Sequence, residues 1–253
     1  SNGIKVAYER TEYPYLNINK LSFQYMKVEL YFRLFLNRVD YIYVISIALK
    51  DLFEKKIPKQ RKLGRIRILN MLVEPDRFNP TQNIERFINS SKKRIVFVGE
   101  LYGDKDGVYG LVQAFINIGN EYPETDLIIV GDNNNKEALH GLHSLINNSP
   151  FKNRIIFTGK LNRTEIALQI KYSYCLVLYR PNNIQAKYGF PTKLGEYLAS
   201  GKPVIITKVG DIPLYLTDSI NAYLAEPDNI ESFSQKLREC LNDPKHAQKI
   251  GLE

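Results

Sequence analysis

Residues 175–207 read CLVLYRPNNIQAKYGFPTKLGEYLASGKPVIIT and contain the change of pattern on which the fold prediction depends. The stretch opens with a short apolar run at 175–179 and closes with another at 203–207. Between them, residues 192–200 have helical spacing, and Gly201 marks the end of that helix. Two apolar runs joined by a loop and a helix predict a strand, a crossover helix and a second, parallel strand.

The same alternation continues through the chain from Lys92 onward. Further apolar runs lie at 94–98, 126–130 and 154–158, with 222–224 as a short edge strand. Further helical segments lie near 107–121, 136–147, 163–171 and 230–242. Near-continuous apolar runs are typical of strands covered on both faces, so we expect a doubly wound parallel sheet of the α/β class. Such sheets bind ligands beyond the carboxyl ends of their strands, here the loops 99–107, 131–135, 159–163 and 180–192.

Residues 1–74 have a different pattern. Apolar runs at 4–8 and 41–45 predict strands, and five apolar residues between them fall at helical spacing: Leu21, Tyr25, Val28, Phe32 and Phe35. We interpret residues 1–74 as the last part of another α/β domain, 75–91 as a linker and 92–253 as a second domain. We expect a fragment cut at both ends, with its C-terminal helix truncated.

The composition excludes several classes of protein. With 253 residues, 44% of them hydrophobic and 25% charged, the chain is neither collagen-like nor disordered. Two cysteines, Cys175 and Cys240, are too few for a disulfide framework, and we expect both to be reduced and buried. No apolar run is long enough to predict a membrane-spanning helix or a signal sequence, so we expect a cytoplasmic protein.

The net charge of +8 is concentrated near the start of the chain. Residues 1–80 hold 15 basic and 8 acidic side chains, whereas residues 81–253 hold 20 and 19. This asymmetry indicates a local anionic partner, phosphate or anionic lipid, more than a nucleic acid. The segment 55–67, with seven Lys or Arg, either adheres to an anionic membrane or is a solvated loop beside core aromatic residues. The helical period of those aromatic residues favours a core.

Residues 191–196 have the properties of a phosphate site. Pro191 can begin a helix, because its missing N–H is one that the first turn leaves unpaired. The N–H groups of Thr192 and Lys193 then point outward at the positive end of the helix, and Lys193 adds a full charge. Glu196 follows one turn later, where a carboxylate suits the paired hydroxyls of a ribose. The alternative is an ordinary helix start whose acidic residue complements the helix dipole.

Candidate metal and cofactor ligands are sparse. Asp104 and Asp106 could hold a divalent cation, but acidic residues are common in turns and hard cations need more oxygen ligands. His140 and His143 are three residues apart without a third ligand in view. The glycines of 99–110 do not spell the dinucleotide fingerprint, so we expect neither a metal nor a nicotinamide cofactor.

The residues GFPTKLGEYLASGKPVI at 189–205 resemble the donor-site segment of retaining glycosyltransferases of family four. That family has the GT-B architecture, in which two Rossmann-like domains face each other. Further similar segments occur in the family's order: 44–51, 68–70, 75–78, 94–101 with Lys105 and Gly107, 127–132, 155–161 and 210–213. The resemblance implies a donor domain preceded by the end of an acceptor-side domain.

The same resemblance implies roles for individual residues. It implies that Glu196 contacts the nucleotide ribose and that Lys105 and Lys193 stabilise the charge of the leaving diphosphate. Further donor contacts are implied for Pro191, Thr192, Tyr188, Gly107, Gly159 and Lys160.

Two positions depart from the family pattern. Glu100 stands where the family often has a phosphate-binding arginine, and Tyr188 stands where it often has a first glutamate. Lys160 or Arg180 could supply the missing positive charge.

The activity implied is transfer of a hexosyl group, with retention and without a metal, from a UDP- or GDP-linked sugar to a glycan or lipid-linked acceptor. The resemblance also implies a role in bacterial glycan biosynthesis. Such a role is compatible with peripheral contact with an anionic membrane, and it does not involve nucleic acid. Two alternatives stay open: a degenerate module that binds nucleotide sugars without transfer, and a nucleotide-sugar epimerase of the same architecture. The fragment itself is expected to be inactive, because the acceptor cleft would lie upstream.

Overall fold

The structure, a computed structural model, describes residues 3–36, 38–57, 64–69, 71–78, 92–101, 105–132, 137 and 139–253. Its internal contacts divide the chain into two units. The first unit comprises Ser1–Met71, Asn183–Pro191 and Gly210–Ile212, and the second comprises Leu72–Asn182, Thr192–Val209 and Pro213–Glu253. Across the described ranges, no helix combines the length and apolar composition that crossing a membrane requires.

The first unit contains a parallel sheet with helices packed on it. Its strands are β1 (Ala7–Arg10), β2 (Tyr41–Val44) and β3 (Ile66–Ile68), paired in that order. Helix α1 (Phe23–Phe35) connects β1 to β2, and helix α2 (Ile47–Lys56) follows β2. The ring of Tyr8 lies 5.4 Å from Phe35 of α1 and 6.1 Å from Phe53 of α2, so both helices pack on one face of the sheet.

One strand prediction for this unit was wrong, and one helix was not predicted. The first strand begins at Ala7 instead of residue 4, because the N–H of Val6 donates to the Asp40 carboxylate (2.8 Å) and Ile4 is exposed. Helix α2 was not predicted, although its start carries a signal. The hydroxyl of Ser46 accepts from the N–H of Leu49 (3.2 Å), as helix-capping serines do.

The predicted core face of α1 is confirmed with one exception. Phe32 is buried, and three of the other predicted residues pack against the same cluster: Tyr25, Val28 and Phe35. Leu21 was wrongly placed in this set, since it lies before the helix and is 94% exposed.

The second unit is built on one parallel sheet. Its strands are β4 (Lys93–Val98), β5 (Thr125–Val130), β6 (Ile155–Gly159), β7 (Cys175–Leu178), β8 (Val204–Thr207) and β9 (Tyr223–Ala225). They pair in the order β6-β5-β4-β7-β8-β9, with every neighbouring pair parallel. The chain leaves β4 toward one edge and returns to build toward the other, which confirms the doubly wound α/β sheet.

The helices that accompany this sheet agree with the predicted segments. They are α3 (Val108–Ile118), α4 (His140–Asn147), α5 (Arg163–Lys171), α7 (Thr192–Ala199) and α9 (Ile230–Asn242). Two helices were not predicted: α6 (Ile184–Tyr188) and α8 (Ile212–Tyr215). Helix α10 (Pro244–Leu252) is the C-terminal helix that the sequence predicts. Short 3-10 turns occur at Pro75–Phe78 and Lys152–Arg154.

The core of the second unit lies on the central strands. Every residue of β7 and β8 is buried, as near-continuous apolar runs predict. Cys175 of β7 and Cys240 of α9 are both free thiols in this core, which confirms the expectation for the two cysteines. The neighbouring Cys240 and burial together raise the pKa of the Cys175 thiol, so it is an inert core residue at neutral pH.

Candidate functional site

The strand order of the second unit brings the carboxyl ends of β4 and β7 together. Val96 of β4 pairs with Leu176 of β7, so the residues after Val98 and after Leu178 emerge side by side. The chain direction across the sheet reverses between these two strands. In doubly wound sheets this reversal opens a crevice in which ligands bind.

Close packing brings the backbone of the loop after β4 against the residues after β7. Gly107 has a φ of 59°, and a Cβ there would collide with the Tyr179 carbonyl oxygen, so only glycine fits. Gly107 is also the N-cap residue of α3 and offers no side chain to the first N–H groups of that helix. Gly103 and Asp104 of the same loop lie outside the described residues.

A buried carboxylate organises this loop. Asp106 is 5% exposed, and its Oδ2 accepts from the N–H of Glu100 (3.1 Å). The same oxygen lies 4.0 Å from the Nζ of Lys193, at the start of α7. The sequence indicated Asp106 only as a possible metal ligand, because an aspartate in a turn does not reveal that it contacts a lysine far away in the chain. The described residues contain no group of three or more His, Cys, Asp or Glu side chains that could hold a metal ion.

Arg180 is a second, buried cation whose charge interacts with that of Asp106. It is 3% exposed; its N–H donates to the Thr207 hydroxyl (3.0 Å), and that hydroxyl donates to its carbonyl oxygen (2.6 Å). Burial lowers the pKa of the Arg180 guanidinium, while the charge of Asp106 opposes this, and an arginine remains protonated. Among the described residues its buried Nε has no hydrogen-bond partner. A buried donor of this kind can bind an incoming anion.

Helix α7 is attached to the end of β4 through Tyr197. The N–H of Val98 donates to the Tyr197 hydroxyl (2.7 Å), and burial raises the pKa of that hydroxyl so that it stays protonated. This contact places the first turn of α7 beside the loop after β4. Within the helix, Thr192 is exposed, whereas Lys193 and Glu196 are half-buried.

The remaining predicted residues of the second unit lie farther apart. The Nζ of Lys105 lies 4.0 Å from a carboxylate oxygen of Glu100, an acidic residue whose position departs from the family pattern. Gly159 ends β6 with a φ of 74°, and Lys160 after it is exposed. Because β6 is the edge strand, two strands away from β4, these residues lie along the same carboxyl edge but away from Asp106.

Tyr188 and Pro191 belong to the first unit. The ring of Tyr188 lies 4.4 Å from the ring of Tyr13, and its carbonyl oxygen accepts from the Ser46 hydroxyl (2.6 Å). Tyr188 therefore packs with the aromatic residues of that unit. Pro191 is buried and directly precedes α7, which begins at Thr192 as the helical spacing of residues 192–200 predicts.

The site therefore combines cations with a buried carboxylate. Lys193 lies 4.0 Å from Asp106, the charge of Arg180 interacts with that of Asp106, and the N-terminus of α7 adds the positive end of its dipole. Two further carboxylates belong to the same loop and helix, those of Glu100 and Glu196. Such a group of cations and helix N–H groups can stabilise an anion with several oxygens, such as a phosphate.

Comparisons with known proteins agree with this architecture. A family model described as "Glycosyl transferases group 1" matches residues 79–252. The N-acetyl-alpha-D-glucosaminyl L-malate synthase of Bacillus anthracis is 26% identical over 164 residues, covering 65% of this chain and 40% of that protein.

Solved glycosyltransferase structures share the GT-B fold. Sucrose-phosphate synthase from Thermosynechococcus elongatus has a TM-score of 0.76 at 18% identity, covering 97% of this chain and 60% of that one. Anabaena HepE in complex with UDP has a TM-score of 0.78 at 14% identity, with 98% and 65% covered. The chain thus spans less than two thirds of the length of these relatives. Because the family model covers well over half of its residues, the chain belongs to the group 1 glycosyltransferases.

Proposed function

We propose that this chain is the donor-binding part of a retaining glycosyltransferase of family four that transfers a hexosyl group from a nucleotide-diphosphate sugar. The acceptor in this proposal is a glycan or a lipid-linked saccharide. The observation that carries the proposal is the Lys193 ammonium, held 4.0 Å from the buried Asp106 at the start of α7, with the buried cation Arg180 in the field of the same carboxylate. Family membership and the UDP and UDP-glucose complexes of HepE support a nucleotide sugar as the donor.

Asp106 limits how Lys193 can act. A buried carboxylate is costly without partners, so Asp106 keeps the Lys193 ammonium at the start of α7. At 4.0 Å this pair is longer than a hydrogen bond, so the ammonium of Lys193 can still donate to a diphosphate. In our proposal the diphosphate binds at Lys193 and the first N–H groups of α7, including that of Thr192, with Pro191 shaping the turn before them.

Cleavage of the sugar–phosphate bond moves its electron pair onto the leaving phosphate oxygen. Lys193 and Lys105 stabilise that developing charge, and this stabilisation lowers the barrier because it is stronger in the transition state. The acceptor hydroxyl attacks on the same face and transfers its proton to the leaving phosphate, so the configuration is retained. In this scheme the transfer uses no metal ion.

The other assigned residues bind the donor on either side of the diphosphate. Glu196, one turn after Thr192, accepts hydrogen bonds from the ribose hydroxyls. Gly107 allows the backbone before α3 to approach a phosphate, and Gly159 with Lys160 lies toward the base. Tyr188 remains a proposed neighbour of the donor sugar through its place before Pro191.

The acceptor determines where the reaction occurs. A lipid-linked acceptor would place it at a membrane, and the basic excess of residues 1–80 supports peripheral contact with anionic lipid. A cytoplasmic location belongs to the same proposal.

The test uses the complete protein with donor and acceptor. We expect UDP or GDP to bind in a calorimetric titration, and the matching nucleotide sugar to release its diphosphate when acceptor is supplied. Proton NMR of the product reports the anomeric configuration, and an inverted product would exclude retention. Failure of both nucleotides to bind would overturn the proposal.

A second candidate, a module that binds nucleotide sugars without transfer, is favoured by one contact. Glu100 lies within 4.0 Å of Lys105 and compensates part of the charge assigned to the leaving group. Nucleotide binding by the complete protein without diphosphate release would support this candidate.

A further inference from the structure

Helix α1 carries exposed apolar side chains on the face directed away from its core. Phe23, Met26, Leu30 and Leu34 recur at spacings of three and four residues and are 66%, 57%, 56% and 53% exposed. Phe32 on the opposite face is buried and lies 5.4 Å from Phe53 of α2. We call these four residues together with Lys27 the outward face of α1.

The α/β layer itself does not account for this face. A helix that lies on a sheet has the sheet below it and other helices of its layer at its flanks, so its outward side normally meets water and is polar. Helix α2, on the same side of the sheet, follows this rule, with Asp51 and Lys55 exposed. The outward face of α1 is apolar, although helices beside it in the same layer would cover its flanks and not this face.

The charges around this face are of one sign. Lys20 and Lys27 are exposed, and the Nζ of Lys27 lies 4.7 Å from the centre of the Phe23 ring. The only acidic residue of the helix, Glu29, lies on the inner side, where it accepts from the Tyr15 hydroxyl (2.7 Å) and pairs with Lys56. Apolar side chains flanked by lysines are typical of helices that lie in the interface of an anionic membrane.

We propose that the outward face of α1 inserts into the surface of an anionic membrane. Lys20 and Lys27 then pair with lipid phosphates, while the apolar side chains enter the boundary between head groups and acyl chains. With 13 residues, α1 is too short to cross a bilayer and lies along its surface. This inference rests on the membrane contact proposed above, but it does not depend on sugar transfer.

The chain contains no tryptophan, so one introduced tryptophan reports its own surroundings. We expect the emission of Leu30→Trp to move to shorter wavelength with vesicles of phosphatidylcholine and phosphatidylglycerol, and to stay unchanged with phosphatidylcholine alone. Leu214→Trp, at a 63% exposed position of α8, is the matched control and should not shift. No shift of Leu30→Trp with anionic vesicles overturns the proposal.

Vesicle flotation gives a second, independent readout. Leu30→Glu should lower partitioning into the mixed vesicles about tenfold or more, and Lys27→Ala about fivefold. Leu214→Glu should partition like the unmodified chain. Since these side chains are exposed, thermal denaturation should show little change, which separates a binding defect from misfolding.

Other occupants of the face have distinct signatures. A second copy of the chain would shift the emission of Leu30→Trp with rising protein concentration and without vesicles, and sedimentation would show a dimer. Another part of a longer protein would shift it in the full-length form at any concentration. Either result overturns the proposal.

The membrane proposal and the transfer proposal can fail independently. Lys193→Ala should float with the vesicles normally, and Leu30→Glu should bind nucleotide normally. A failure of membrane insertion is therefore distinguishable from a failure of the proposed transfer.

Discussion

Lys193 and Glu196 lie on one helix but are expected to contribute at different stages of the reaction. Lys193 adjoins the buried Asp106 at the start of α7, where negative charge would develop on the leaving group. A ribose contact by Glu196 would be equally good before and after bond cleavage. The two substitutions should therefore change different kinetic constants.

We expect Lys193→Ala in the complete enzyme to lower kcat/KM about 100-fold or more, because it removes charge that stabilises the transition state. Glu196→Gln should mainly raise KM and the Kd of the nucleotide, with a smaller effect on kcat. Lys249→Ala, on the exposed side of α10, is the control and should change neither. Steady-state kinetics with the matching donor checks all three variants, and an unchanged kcat/KM for Lys193→Ala would contradict the site assignment.

Gly107 lies where the backbone tolerates no side chain. Gly107→Ala should destabilise the protein by about 1–3 kcal/mol, because alanine is strained at positive φ and its Cβ would collide with the Tyr179 carbonyl. Gly141→Ala is the matched control, since nothing lies within 4 Å of a Cβ there. That substitution, on α4, should be neutral or stabilise by up to ~1 kcal/mol. Urea unfolding compares the two, and equal midpoints would argue against the close approach.

Tyr197 attaches helix α7 to the end of β4 by a hydrogen bond. Tyr197 is fully buried, and its hydroxyl accepts from the N–H that ends β4. The helix and the loop after β4 are the two sides of the candidate phosphate site. Their spacing therefore depends on this hydrogen bond.

Tyr197→Phe should cost about 1–3 kcal/mol, because the Val98 N–H would stay buried without its partner. It should also weaken nucleotide binding by loosening α7. Tyr223→Phe is a matched control, since its buried hydroxyl has no hydrogen-bond partner within the described part of the chain. Denaturant unfolding should show Tyr223→Phe neutral or stabilising; a larger loss for Tyr223→Phe than for Tyr197→Phe would contradict this account.

Glu29 links α1 to α2 and makes the first unit sensitive to acid. Desolvation would raise the pKa of Glu29, but hydrogen bonds from Lys56 and Tyr15 offset it and hold the pKa below its ordinary value. The resulting stabilisation is complete above the unfolded pKa of about 4.3 and is lost as the pH falls through the lower folded value.

Glu29→Gln should therefore cost about 1 kcal/mol or less at pH 7, since solvent screens this partly exposed pair. The difference from the unmodified chain should vanish at low pH. Unfolding curves recorded across the acid range measure it, and a constant difference down to low pH would show that Glu29 acts through packing alone.

The two units do not follow the order of the chain. Asn183–Pro191 and Gly210–Ile212 are distant in sequence from Ser1–Met71 but pack with it. The helix α6 and the ring of Tyr188 therefore depend on aromatic residues near the start of the chain, such as Tyr13. The domain limits predicted at 1–74 and 92–253 remain a prediction.

Expression of residues 92–253 alone tests those limits. We expect the fragment to fold, because all six strands of the second sheet lie within it. Residues 184–190 should exchange their amide hydrogens faster than in the full chain, since they lose the packing around Tyr188. Hydrogen exchange with mass spectrometry compares the two proteins, and equal protection of 184–190 would contradict the division into units.

Much of the second unit could be predicted because its signals are local. The apolar run predicted at 126–130 agrees almost residue for residue with β5, and the helical spacing after Pro191 agrees with α7. The short helix α2 escaped notice because its buried residues, Leu49 and Phe53, occupy too few turns to show a period.

The candidate site was predictable only in part. The residues from Pro191 to Glu196 were found because a proline, a lysine and a glutamate at helical spacing form a local pattern. Asp106 was not, because its role depends on a lysine that only the pairing of β4 with β7 brings within reach.

The amino-acid sequence by itself determined the α/β class, the positions of most strands and helices, and the segment that resembles a donor site. The periodic spacing of apolar residues and the capping residues of helices involve only residues close in sequence, so they can be recognised from the sequence. Only the tertiary structure decided the order β6-β5-β4-β7-β8-β9, the approach of Lys193 to Asp106, and the exposed outward face of α1. Those features depend on contacts between residues far apart in sequence, whose geometry exists only after the strands have paired.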